Sequence, residues 1–138
     1  MPEDRDLIVG VFQLANLFAR RLSPMFAKTN LTPQQWVILS VVAGCGPTTS
    51  AALARKMIVS KQNMTGIVGR LRDAGYLERY DDPSDLRSVR VALTRKGRSV
   101  VEKLKPAYER WHAKLVEGLD GVEVTEQTIA ALIARLEK

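Results

Sequence analysis

Gln62 and Asn63 stand side by side, with Thr65 two positions on, in the run SKQNMTGIVGRLRDAG over residues 60–75. Side-chain amides pair bidentately with adenine in a major groove, while Lys and Arg, here Lys61, Arg70 and Arg72, reach guanine or phosphate. Met64, Ile67, Val68 and Leu71 recur at helical spacing in the same run and set a narrow apolar stripe against that polar face. Ser60 suits the N-cap and Gly75 the left-handed stop, so the run predicts a helix closed at both ends. Gly66 and Gly69 face outward; each lowers helix propensity by about 1 kcal/mol, and each lets a bulky partner come close. Solvated helices also have polar faces, so the rest of the chain must decide between the two readings.

Other chemistry is sparse. The chain has one cysteine, Cys45, and one histidine, His112, with no Gly-rich phosphate loop. Nucleophilic catalysis needs two or three convergent groups, so the expectation is a protein that is not an enzyme and needs no cofactor. A structural zinc site takes about four N or S ligands, which one Cys and one His cannot supply; no metal is expected. Cys45 lies in a Gly-Cys-Gly turn without an adjacent basic residue to make a reactive thiolate. It cannot form an internal disulfide and fits a reducing cytoplasm.

The net charge of +6 is unevenly placed. Residues 48–97 hold ten basic against five acidic side chains, whereas residues 98–138 balance at seven of each. A positive excess in the middle third, around residues 60–75, suggests a polyanion partner, most simply nucleic acid. A length of 138 residues is one domain's worth of chain, and an apolar share of 46% argues against disorder. No apolar run approaches the roughly 20 residues that span a bilayer, and the acidic opening MPEDRD does not read as a secretion leader. The expected location is the cytoplasm, with no membrane partner.

The elements that must position the central helix follow from periodicity and caps. Residues 6–28 predict a long helix, apolar over more than half its circumference, with Pro24 bending or breaking its last turn. So apolar a helix implies a larger core or a second subunit. Thr32, Pro33 and Gln35 make a capping box for a second, buried helix ending at Gly44. Thr49 caps a short third helix over 50–57, and Ile58-Val59 turns into the central one, a helix-turn-helix arrangement. Residues 76–80 and 88–93 alternate as strands around a polar loop at 81–87. Thr94 caps a long helix to about residue 118, in which Pro106 should produce a kink or a local break. Thr125 caps a last helix. Tyr76 and Tyr80 are expected to pack.

Taken in order, these segments resemble the MarR family, the multiple-antibiotic-resistance regulators. The matching pieces are Leu31-Thr32-Pro33-Gln34-Gln35-Trp36, Leu53-Ala54 with Val59-Ser60, Arg70-Leu71, Gly75-Tyr76-Leu77-Glu78-Arg79, Asp85-Leu86-Arg87, and Leu93-Thr94 with Gly97. The resemblance implies a mainly α fold with a small β-hairpin wing. It also implies a single domain over 1–138, in which 31–97 form a winged helix-turn-helix and 1–30 and 98–138 form a dimerisation platform. The function implied is a ligand-responsive repressor that binds a palindromic operator as a homodimer. Ser60, Lys61, Gln62, Asn63, Thr65, Gly66 and Arg70 would then read or hold DNA from the recognition helix, with Asp85, Arg87 and Arg90 on the wing. Where many members have a second basic residue between the wing Asp and Arg, this chain has Leu86. A small aromatic or anionic effector would meet Phe12, Trp36, Tyr108, Trp111 and His112, with Arg20 or Arg21 as anion partner. Two alternatives remain: a dimeric protein-interaction module without specific DNA binding, and a regulator that senses oxidants through Cys45.

Overall fold

The computed structural model describes residues 6–137, apart from the side chains at positions 82 and 85–88. Its residues group into two compact units, Met1–Lys105 and Pro106–Lys138.

In the first unit, helix α1 (Leu7–Leu22) starts at Asp6, whose carboxylate accepts from the Ile8 and Val9 N–H groups at 2.8 and 3.3 Å. The sequence predicts a helix to residue 28. Instead α1 gives way to a 3-10 turn, Ser23–Phe26, because Pro24 has no N–H to continue the α-helical pattern. No residue of α1 is buried: Ile8 is 61% exposed and Phe12 68%. Helix α2 (Pro33–Cys45) opens with the predicted capping box. The Gln35 N–H donates to Thr32 Oγ1 at 3.1 Å, and the Thr32 N–H donates to Gln35 Oε1 at 3.0 Å. It is apolar nearly all round and buries Trp36, Ile38, Leu39 and Val42.

Helix α3 (Ser50–Met57) is capped by Thr49, which accepts from the Ala52 N–H at 3.1 Å. It ends at Ile58, held in the left-handed region at φ 56°. Helix α4 (Lys61–Asp73) follows after the three-residue link Ile58-Val59-Ser60. Strands β1 (Leu77–Asp82) and β2 (Asp85–Leu93) then pair antiparallel, Leu77 opposite Leu93 and Tyr80 opposite Arg90. The polar loop expected over 81–87 shrinks to a turn at Pro83-Ser84. The ladder uses backbone groups, which polar residues supply as well as apolar ones, and a register irregularity between Tyr80 and Asp82 absorbs the mismatch. Thr48 joins the hairpin as an isolated bridge to Val91, with backbone bonds of 3.0 and 2.8 Å. The core of this unit is formed by Phe26, Leu39, Leu53, Met64, Leu71, Val91 and their neighbours. The first two turns of helix α5 (Arg95–Val116) complete it through Gly97, Val100 and Val101.

Helix α5 contains Pro106, which has no N–H to donate to the carbonyl four residues back. The second unit begins at that proline and contains helix α6 (Val122–Leu136). This helix starts three residues before the predicted cap. Gly121, at φ 82°, makes the turn, and the Thr125 hydroxyl lies inside the helix, donating to the Gly121 carbonyl at 2.9 Å. No residue of α6 is buried, and Leu136 is 84% exposed. Among the described residues no helix is long and apolar enough to cross a membrane.

Candidate nucleic-acid interface

The apolar stripe read from the sequence fixes how α4 is turned. Met64, Ile67, Val68 and Leu71 are all at most 5% exposed, so burial against the core drives the opposite face into solvent. Lys61, Gln62, Asn63, Thr65, Gly66, Arg70 and Arg72 are exposed there. Ser60 Oγ accepts from the Asn63 N–H at 3.0 Å, and the Thr65 hydroxyl donates to the Lys61 carbonyl at 2.9 Å. Those two hydroxyls therefore serve the helix itself, though their oxygens can still accept. The Gln62 and Asn63 amides make no hydrogen bond among the described residues, and Lys61, Arg70 and Arg72 make no ion pair among them. Arg70 lies back over Gly66, its Nη1 3.6 Å from where a Cβ on that glycine would stand. The C-terminus of α4 is a Schellman turn: the Tyr76 N–H donates to the Leu71 carbonyl and the Gly75 N–H to the Arg72 carbonyl, each at 2.9 Å.

The hairpin carries the residues expected on the wing. Asp85 and Arg87 fall in β2, and their side chains lie outside the described residues. Arg90 forms the fourth pair from the base of the hairpin, opposite Tyr80, and is half-buried. Its Nε is buried without a hydrogen-bond partner among the described residues. Tyr80, expected to pack, is 43% exposed. On β1 the exposed Arg79 pairs with Asp81 at 2.8 Å, a cation that the sequence reading did not single out.

A short polar-faced helix on a turn, followed by a hairpin, is the winged-helix arrangement, and comparison with known proteins agrees. The model of the MarR family matches residues 29–88. The transcriptional activatory protein BadR of Rhodopseudomonas palustris is 30% identical over 125 residues, covering 86% of this chain and 70% of BadR. The chain belongs to the MarR family.

MarR-family proteins are transcriptional regulators and not enzymes. The regulator FarR of Neisseria gonorrhoeae is 29% identical over 96 residues, 70% of this chain and 66% of FarR. A MepR-like protein, solved with pseudoligands, superposes with a TM-score of 0.76 at 30% identity, over 99% of this chain and 95% of that one. The fold is also that of the regulator MosR of Mycobacterium tuberculosis, solved in complex with DNA, at a TM-score of 0.82 and 21% identity over 95% and 96% of the two chains.

Within this MarR-family chain, the residues predicted to meet an effector are scattered in burial. Trp36 is buried and packs tilted against Phe26, ring centroids 5.8 Å apart, whereas Phe12 is largely exposed. Tyr108 and Trp111 are half-buried and His112 is exposed, all three in the second unit. Two cavities of the first unit are lined by other residues. One of about 430 Å³ is lined by Val42, Pro47, Glu78, Tyr80, Arg98 and Glu102 among others. Another, of about 500 Å³, runs between α2 and α3 and is lined by Cys45 and Lys56. Cys45 is exposed, and its thiol donates to the Gly46 carbonyl at 3.4 Å. Lys56 lines the same cavity as Cys45, a placement that adjacency in sequence does not reveal. Among the described residues no group of three His, Cys, Asp or Glu side chains gathers to hold a metal.

Proposed function

We propose that this chain is a homodimeric, cytoplasmic regulator that reads a roughly palindromic double-stranded operator, one α4 in each of two successive major grooves. The observation that carries the reading is the outward face of α4, where two amides and three cations with no partner among the described residues are set opposite a buried stripe. Gln62, Asn63 and Thr65 contact base edges, and Gly66 is the point of closest approach. Lys61, Arg70 and Arg72 neutralise phosphates, which set affinity and register but not sequence. Arg87, oriented by Asp85, flanks a minor groove, with Arg90 as an auxiliary contact. Residues 31–97 form the reading module, and residues 1–30 and 98–138 the pairing platform. The exposed apolar side chains of α1 support this division, because a stripe led by Ile8 and Phe12 needs a cover. Two-fold symmetry puts the half-sites about 10 base pairs apart.

Regulation follows from population shift. A small aromatic or anionic effector that prefers one spacing of the two α4 helices changes DNA affinity by the ratio of its affinities for the two spacings. Bound over a promoter, the dimer represses. The likeness to BadR, named as an activator, supports activation as a second reading. A reporter driven by the operator, with and without the protein, separates the two.

The direct test is binding to DNA upstream of its own coding sequence, beside a scrambled duplex, over a range of salt. The reading requires tight, salt-steep binding whose preference for the upstream duplex is lost in a Gln62→Ala, Asn63→Ala double variant. Equal, weak binding to both duplexes contradicts sequence-specific reading. No binding at low salt favours a protein-interaction module.

A further inference from the structure

The C-terminal turn of α4 is held by two parts of the chain distant in sequence. Thr94, immediately before α5, makes three hydrogen bonds besides the helical one that its carbonyl accepts from the Arg98 N–H. Its N–H donates to the Tyr76 carbonyl at 3.1 Å, its hydroxyl donates to the Gly75 carbonyl, and its Oγ1 accepts from the Gly97 N–H at 3.0 Å. One hydroxyl thus ties the last turn of α4 to the first turn of α5. Lys96 adds a bond from Nζ to the Ala74 carbonyl at 2.7 Å and lies 4.6 Å from the centroid of the Tyr76 ring. There the cation also meets the negative end of the α4 dipole. Gly97 lets the two backbones touch, since a Cβ there would stand only 2.2 Å from the Tyr76 carbonyl oxygen. From the other side of the same turn, the Tyr76 hydroxyl donates to the Thr29 carbonyl at 2.9 Å, reaching the link between α1 and α2. Tyr76 itself is only 6% exposed.

These contacts touch none of the side chains on the outward face of α4. They fix where that face points relative to α5 and to the segment that follows α1. We propose that Thr94 and Tyr76 are positioning residues for DNA reading: they clamp the end of α4 so that the reading helices of two protomers keep the separation a two-half-site operator demands. The proposal rests on the homodimeric regulator reading above. A helix free to swivel still recognises one half-site. It loses the gain from engaging two at once, because that gain depends on the second helix already being at the right distance.

The experiment compares two duplexes: an operator recovered by selection from a random-sequence library, and the same operator with one half scrambled. For the unaltered protein, affinity for the intact duplex far exceeds that for the half-scrambled one. Thr94→Val, which removes the hydroxyl at constant shape, and Tyr76→Phe, which removes only the bond to Thr29, should each reduce that ratio by roughly tenfold. Affinity for the half-scrambled duplex should stay near its original value, and Thr94→Ser, which keeps the hydroxyl, should retain the ratio. Melting of each variant is followed in parallel. Tyr76→Phe is the milder change and stays informative should Thr94→Val unfold. Variants that fold and keep the unaltered ratio overturn the clamp, as does an equal loss on both duplexes. Absence of selected DNA binding by the unaltered protein overturns the regulator reading itself, and the clamp with it.

Discussion

Gly97→Ala is the sharpest test of how α5 seats on the end of α4. A Cβ at this position would lie 2.2 Å from the Tyr76 oxygen and 3.2 Å from both the Tyr76 carbonyl carbon and Leu93 Cδ2. A carbon–oxygen contact normally closes to about 3.3 Å, so the first turn of α5 must withdraw by roughly 1 Å. The closest obstacle is a backbone atom, which cannot rotate aside as a side chain would. Withdrawal of that size breaks the Thr94-to-Tyr76 backbone bond and weakens the bond from Thr94 to Gly75. Overpacking costs about 1–3 kcal/mol, and each lost hydrogen bond about 0.5–1.5 kcal/mol. Replacing glycine in a helix returns about 1 kcal/mol. The net loss is about 2–4 kcal/mol, which for a chain of this length lowers the melting temperature by about 10 °C. Thermal unfolding by circular dichroism at fixed protein concentration reads it. Gly69→Ala is the control: a Cβ there meets nothing within 4 Å, so that variant should melt higher. A Gly97→Ala protein melting within about 2 °C of the original refutes the seating argument.

Three further outcomes are expected. Gly66→Ala meets nothing nearer than Arg70 Nη1 at 3.6 Å, so it should stabilise the fold by about 0.5–1 kcal/mol while weakening operator binding in a titration. Undiminished affinity would remove Gly66 from the close approach. Ile58→Asn replaces a β-branched, 55% exposed residue held at φ 56° by one that tolerates the left-handed region, and should gain about 1 kcal/mol in chemical denaturation; a loss would show that Ile58 contributes packing that outweighs its strain. Ile8→Glu with Phe12→Glu should give a monomer in sedimentation equilibrium with greatly reduced operator affinity. A dimer of unchanged stability would place the pairing surface away from α1.

What was legible in the sequence was local. Thr32 with Gln35, Thr49 and Ser60 all make the predicted cap bonds, because a cap joins residues two or three apart. The α4 stripe is buried as its spacing demands. Hairpin ends were misjudged because strand length is set by the partner backbone, and polar Asp82 and Asp85 pair as readily as their apolar neighbours. Thr125 was misread as a cap because Gly121, by taking positive φ, makes the turn without a side chain. Half-burial of Arg90, exposure of Tyr80 and proximity of Lys56 to the Cys45 cavity all depend on tertiary placement. The bond from Tyr76 to Thr29 spans 47 positions and has no sequence signature. Thr94 and Gly97 did carry one, three residues apart ahead of a helix, but that spacing signals a cap and not the second bond to Gly75.

The exposed apolar stripe of α1 has a genetic consequence. When only a second copy covers it, the reading form assembles at a rate second order in chain concentration. Below the pairing constant, operator occupancy then rises with the square of the amount synthesised. A chain with intact α1 but a defective α4 face would capture good partners into dimers with a single reading helix. Expressed in excess, such a chain should silence its normal counterpart, and losing Phe12 as well should make it harmless.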